Sequence, residues 1–221
     1  MRLFPVITLV LLWTHANAQA APPCAVSEDS IFHEVRICGK SREGSLRKSD
    51  LTVGGFAIGG STLEDVSKRF PGSQKFRLSK AMEGGTGICV QNERGEAVVF
   101  SSGDLEQPRV MDSIYMARAE TFEKQGAKCV KVASFSGGAS TESGIRLGME
   151  KGRVLALLRI PKSKLARFQV DYTTSPDKAP WVTEKSRPKG SAQGWTAMSG
   201  AYGGFRNGRL RWVVLYGGVS G

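Results

Sequence analysis

The phrase IGGSTLEDVSKRFPGS at residues 58–73 returns, altered, as IRLGMEKGRVLALLRIPKS at residues 145–163. Each opens on a glycine turn, runs through one or two amphipathic helical turns and stops at a proline. In the first, Ser61 or Thr62 supplies the N-cap, and Leu63, Val66 and Phe70 recur at helical spacing. Glu64 and Asp65 stand in the first turn and Lys68 and Arg69 in the last, the order a helix dipole favours, before Pro71-Gly72 ends the run. In the second, Val154, Leu157 and Leu158 share one side and Pro161 is the stop. Aligning Gly60 with Gly148 sets Val66 on Val154 and Phe70 on Leu158. A chain written this way needs an apolar sheet face for each of two short helices.

After each helix the period changes to two. KFRLSK (75–80), TGICVQ (86–91), AVVFSS (97–102), SIYMARA (113–119) and KCVKVAS (128–134) read as strands, with a turn at 92–95 and a loop at GDLEQPR (103–109). In the second half LARFQVDY (165–172) points Ala166, Phe168, Val170 and Tyr172 one way. Two more strands flank the turn Arg206-Asn207-Gly208-Arg209, the last alternating Leu210, Trp212, Val214 and Tyr216 with Arg209 and Arg211. The expected fold is α+β: a tandem duplication of a helix-plus-antiparallel-sheet unit, over 51–134 and 145–221. The two sheets are able to merge side by side into one curved sheet with a concave face. FSGGASTESG (135–144) is the expected linker, and residues 21–50 a polar N-terminal extension with one apolar alternation at HEVRIC (33–38).

Residues 1–20, MRLFPVITLVLLWTHANAQA, have the three parts of a secretory signal: Arg2, an apolar run from Leu3 to Trp13, and a small-residue cleavage site near Ala18 or Ala20. The expected location is periplasmic or secreted. No segment approaches the roughly 18 consecutive apolar residues of a transmembrane helix. Cys24 follows Ala21-Pro22-Pro23, unlike a lipidation site. The four cysteines, Cys24, Cys38, Cys89 and Cys129, are an even set without a C-x-x-C pair, which in an exported chain means two disulfides and three possible pairings. Cys89 and Cys129 fall on strands of one unit, where adjacent strands bring cysteines within bridging distance. The expected pairs are therefore Cys89–Cys129 and Cys24–Cys38.

The two helix phrases resemble the helix-opening signature of the small exported SmpA/OmlA-like and beta-lactamase-inhibitor-protein-like (BLIP-like) domains: apolar-x-apolar-Gly-x-Ser/Thr-x-x-x-Val, followed by Gly or Pro. IRLGMEKGRVLALL matches it closely and IGGSTLEDVSKRF carries one extra glycine. The resemblance covers the two helix regions, about a third of the mature chain, and reaches the strands only in their order. It implies an α+β fold whose sheet surface binds other proteins, as an inhibitor or an envelope assembly accessory. It carries over no interface residue, and the missing lipidation cysteine departs from the lipoprotein members.

Little catalytic chemistry is written into the chain. His33 is the one histidine left after signal removal, so neither a Ser-His-Asp triad nor a zinc site is expected. Ser45-Leu46-Arg47-Lys48 fits Ser-x-x-Lys, but the Ser-Asp-Asn and Lys-Thr-Gly companions are absent. The glycine pairs match no phosphate-binding loop. No catalytic residue, metal or cofactor is expected. Binding residues are easier to nominate. Trp181, Trp195, Tyr202, Phe205, Trp212 and Tyr216 crowd the last 41 residues, interleaved with Lys178, Lys185, Arg187, Lys189, Arg206, Arg209 and Arg211. Trp, Tyr and Arg dominate binding hot spots. Trp181, in the Pro-bounded loop 174–193, is the candidate anchor, with Lys178, Lys185, Arg187 and Lys189 around it and Trp195 and Tyr202 nearby. The first expectation is therefore a non-enzymatic module for an envelope or secreted protein. The formal charge of +11, or +10 without Arg2, supports a second: a basic binder of anionic envelope polymer. An unrecognised hydrolase is the third. No nucleic-acid partner is expected.

Overall fold

A computed structural model of the chain describes residues 41–78, 85–103, 110–135, 139–161, 165–187 and 194–220. The expected signal at 1–20, the HEVRIC alternation, His33, the Cys24–Cys38 pair and Lys189 lie outside the described residues.

The frame is one nine-stranded sheet. Its strands are β1 (Arg42–Glu43), β4 (Lys75–Arg77), β5 (Thr86–Gln91), β6 (Glu96–Ser102), β7 (Ser113–Arg118), β8 (Val130–Lys131), β9 (Arg167–Thr174), β10 (Thr196–Arg206) and β11 (Arg209–Ser220). The order is β1-β9-β10-β11-β7-β6-β5-β4, with β8 pairing β5. A separate hairpin joins β2 (Thr52–Val53) to β3 (Phe56–Ala57). The antiparallel run β4–β7 and the antiparallel run β9–β11 meet where β11 pairs β7, from Val213↔Met116 to Tyr216↔Ser113. The strands after Gly85 follow the expected segments within two residues, except that KCVKVAS contributes only the two residues of β8.

Helix α1 (Leu63–Arg69) starts at Thr62, whose Oγ1 accepts the Asp65 N–H while Asp65 Oδ2 accepts the Thr62 N–H, a reciprocal capping box. The Thr62 N–H, and after it the Thr62 hydroxyl, donate to Asp65 Oδ2 and hold its carboxyl below the ordinary range. Helix α3 (Lys151–Leu157) has no side-chain cap; its first N–H, from Lys151, is taken by the Gly208 carbonyl of the β10–β11 turn at 2.8 Å. Leu63, Val66 and Phe70 of the first helix region and Val154, Leu155 and Leu158 of the second are buried in one cluster, on the same side of the sheet. In the second helix Leu155 is buried as well, while Leu157 packs half-buried against the same cluster. A short unforeseen helix, α2 (Ala119–Glu123), buries Phe122 in a second cluster with Cys89, Tyr115, Tyr202, Trp212 and Val214.

Three expectations need correction. Leu210 does not share a face with Trp212, Val214 and Tyr216: it lies in the helix-side cluster and they belong to the other. The reason is a β-bulge. Gly204 pairs Trp212 but Phe205 pairs Leu210, so Arg211 is an extra residue and the alternation reverses there. Nor is 135–144 a free linker where described. Ala139 and Thr141 are buried, and Glu142 and Ser143 donate to the carbonyls of Thr52 and Ser49. Residues 42–51 are likewise no loose extension, since β1 pairs β9 in parallel and Leu46 and Leu51 are fully buried.

The largest correction concerns Trp181, which is 1% exposed. Its Nε1 donates to Ser45 Oγ at 3.0 Å, and its ring stands against Gly59, where an added Cβ would lie 2.6 Å from the Trp181 carbonyl oxygen. Gly59 also has φ +74°, a left-handed conformation that admits glycine best. Thr183 Oγ1 bonds the Gly59 carbonyl from the same loop. Residues 174–187 are thus fastened to the body through apolar burial. Trp181→Ala is expected to cost about 3–5 kcal/mol of stability, as truncation of a buried large aromatic does, read as a shifted urea midpoint.

Cys89 and Cys129 form the expected disulfide, with β5 and the chain just before β8 side by side. Among the described residues there is no free cysteine. Cys129→Ala is expected to lose about 2–5 kcal/mol, and non-reducing peptide mapping of the native protein should recover the Cys89–Cys129 pair.

Candidate functional site

The β10–β11 hairpin turns through Asn207 (φ +52°) and Gly208 (φ +71°), between the paired residues Arg206 and Arg209. Two adjacent left-handed residues make the tight primed turn that suits strand twist, and Asn-Gly is its usual sequence. The turn brings Arg206 and Arg209 to one end of the sheet. Two residues on, the bulge takes Arg211 out of the alternation and turns it to the same end. Arg118, the last residue of β7, arrives from the neighbouring strand, paired across β6 with Glu96.

These four arginines line a cleft of about 570 Å³, together with Glu96, Glu120 of α2, and the segment around Leu147 and Gly148. The hairpin is held to that segment: Gly148 N–H donates to the Leu210 carbonyl, Leu210 N–H to that of Met149, and the backbones of Glu150 and Arg209 pair as an isolated antiparallel bridge. Two guanidiniums are fixed by backbone carbonyls, Arg118 Nη1 on Arg94 O at 2.6 Å and Arg209 Nη1 on Gly148 O at 3.0 Å. Glu96 Oε2 is held by Asn92 Nδ2 at 2.9 Å. Arg211 Nε is buried and has no hydrogen-bond partner. Among the described residues the ion pairs are Arg47–Asp50, Lys75–Glu64 and Arg187–Asp177, none of them in the cleft. A buried guanidinium donor without an acceptor is costly unless something fills the site, and guanidinium forks match carboxylate and phosphate oxygens.

The residues nominated from sequence do not gather into a site. Lys178, Lys185 and Arg187 are exposed, with Arg187 paired to Asp177 at 3.1 Å. Their intended anchor, Trp181, is in the core, and Tyr202 is buried at 3% exposure beneath the opposite face. Trp195 is half-buried at the start of β10. Ser45 of the Ser-x-x-Lys match accepts from Trp181 and lies 3.2 Å from Ser199 Oγ, while Lys48 is exposed. That serine serves packing. No group of three or more His, Cys, Asp or Glu residues is placed to hold a metal among the described residues. No helix there is long and apolar enough to cross a membrane. The cleft was half-visible in sequence: Arg206, Arg209 and Arg211 stand out beside an Asn-Gly turn, but Arg118, Glu96 and Glu120 lie far away in the chain and carry no motif.

Comparison with protein-family models, with curated proteins and with solved structures gave no match.

A second polar group sits away from the cleft, on β9 and β11. The buried Asp171 carboxylate accepts from Tyr216 Oη and from Gln169 Nε2, the latter at 3.1 Å. Burial pushes its carboxyl above the ordinary range against the opposing Gln169 bond. Burial likewise raises Asp112, where Gly103 N–H and Ser101 Oγ donate to the carboxylate, and the Tyr115 and Tyr202 phenols. A carboxyl raised by folding adds stability that is fully present below its unfolded value, near pH 4, and lost as pH rises through the folded value. Asp171→Asn keeps an acceptor for Tyr216 and cannot ionise. Urea denaturation across mildly acidic pH should therefore show native stability declining relative to the variant as pH rises from about 4. Parallel curves for the two proteins would mean Asp171 does not titrate as described.

Proposed function

We propose that this protein is an exported, non-catalytic binding module that holds an anionic ligand in the arginine-lined cleft. The observation that carries the reading is Arg211 Nε, buried and unpartnered beside three further guanidiniums that form no ion pair among the described residues. The signal-like residues 1–20 and the Cys89–Cys129 disulfide support export. This reading takes the basic binder over the Trp181-anchored protein binder, because Trp181 is inside the fold.

The scaffold fits a tandem duplication of the SmpA/OmlA-like and BLIP-like kind. Its support is two seven-residue helices on one side of the sheet, with Val66 and Val154 both fully buried and each helix followed by antiparallel strands. On this reading the ligand site lies where the two units touch, since Arg118, Glu96 and Glu120 come from the first and the hairpin arginines from the second.

Anions with divalent or multivalent charge, such as inorganic phosphate and citrate, should raise the melting temperature of the native protein beyond chloride at matched ionic strength. Arg211→Ala should weaken that binding about tenfold or more, the loss expected when a charge-assisted hydrogen bond is removed. An equal response in Arg211→Ala, or none beyond chloride in the native protein, would remove the cleft from consideration.

A further inference from the structure

We infer that the cleft takes a zwitterionic ligand: an amino acid or short peptide that offers a free carboxylate to the arginines and a protonated amine to Glu96 and Glu120. This rests on the reading of the cleft as an anion site. The lining carries both signs of charge, four guanidiniums and two carboxylates, and they do not neutralise one another. Elsewhere on the described surface opposite charges have joined, as in Lys75–Glu64 at 2.7 Å. In the cleft some members of each set are held by other bonds. Arg118 and Arg209 are tied to backbone carbonyls, and Glu96 is tied to Asn92, whose Oδ1 in turn accepts the N–H groups of Arg94 and Glu96. Glu96 also stands directly across the ladder from Arg118 without pairing to it. The result is a set of positive and negative groups, three of them fixed, with open valences of each kind.

That arrangement selects by charge pattern. A phosphate-rich or sulfated chain satisfies the arginines but meets two carboxylates with more negative charge. A ligand with a carboxylate and an amine satisfies both sets, with the guanidinium fork of Arg211 matching carboxylate geometry. The size agrees. A cleft of about 570 Å³ is within the usual range for a small molecule, roughly 300–1,000 Å³. Leu147, half-buried on the lining, supplies apolar surface that the backbone between two charged ends would cover.

The experiment is calorimetric titration of the native protein with four probes: trialanine with free termini, N-acetyl-trialanine, trialanine amide and inorganic phosphate. Free trialanine should bind tightest. Amidation should abolish binding, and acetylation should weaken it about tenfold, the loss of one charge-assisted contact. In a Glu96→Gln/Glu120→Gln variant, checked by melting to be folded, acetylated and free trialanine should bind alike and phosphate should bind more tightly than to the native protein. If phosphate outcompetes free trialanine in the native protein, or acetylation makes no difference, the inference is wrong while the anion site stands. If none of the four probes binds and Arg211→Ala changes nothing, both readings fall together.

Discussion

One indole holds the structure closed. Trp181 bonds the N-terminal segment at Ser45, packs on the turn that launches α1 at Gly59, and touches Gly217 on the central strand β11. These contacts come from three parts of the chain far apart in sequence. The loop that carries Trp181 is connected to β9 on one side and to β10 on the other, so its burial fixes the second half of the sheet against the first helix. Ser199 on β10 joins the same point, accepting the Leu46 N–H at 3.0 Å. A residue that closes four segments at once has no surface left to offer a partner. For residues 174–187, burial of this kind offsets the entropy of fixing a polar segment with the apolar gain of a large aromatic.

At the other end of the sheet, polar groups are set out by backbone geometry. The two-residue turn, the bulge and the helix whose first N–H bonds the turn carbonyl each fix a short piece of chain, and together they aim arginines at a common space. None of these devices needs a side chain of special chemistry. Three of the charges there, on Arg118, Arg209 and Glu96, are held by carbonyls and an amide, and guanidinium and carboxylate groups line one cleft without ion pairs among the described residues. The two ends of the molecule therefore differ in kind, one sealed by an aromatic ring and the other open and charged.

Most of the architecture was legible because it rests on short-range signals. Strand alternation, an N-cap at Ser61 or Thr62, the Asn-Gly turn and the cysteines on neighbouring strands are properties of a few consecutive residues or of a simple count. The failures share a different cause. The exposure of Trp181 depends on a serine and two glycines far away in sequence, and no local pattern reports them. The facing of Leu210 depends on one unpaired residue, Arg211, which reverses a period-two reading without leaving a gap in the letters. Residues 139–144 are small and polar, as linkers are, yet they bond Thr52 and Ser49 across the fold. The cleft joins residues on four strands and a short helix, and among its charged residues only the hairpin arginines are close neighbours in sequence.

The strand order gives β11 an uneven responsibility. It is the last strand in the chain among the described residues, yet it lies at the centre of the sheet, between β10 and β7. The antiparallel run from β4 to β7 is fully laid down before it and ends on the edge that β11 occupies. A chain cut or stalled ahead of Arg209 therefore presents β7 from Ser113 to Met116 as an open ladder of N–H and C=O groups. Such an edge is a template for a strand from another molecule, and β11 of a neighbouring copy has the matching register. Strand exchange and aggregation are thus the characteristic hazards of truncation in this fold, and intact residues 209–220 are its guard against them.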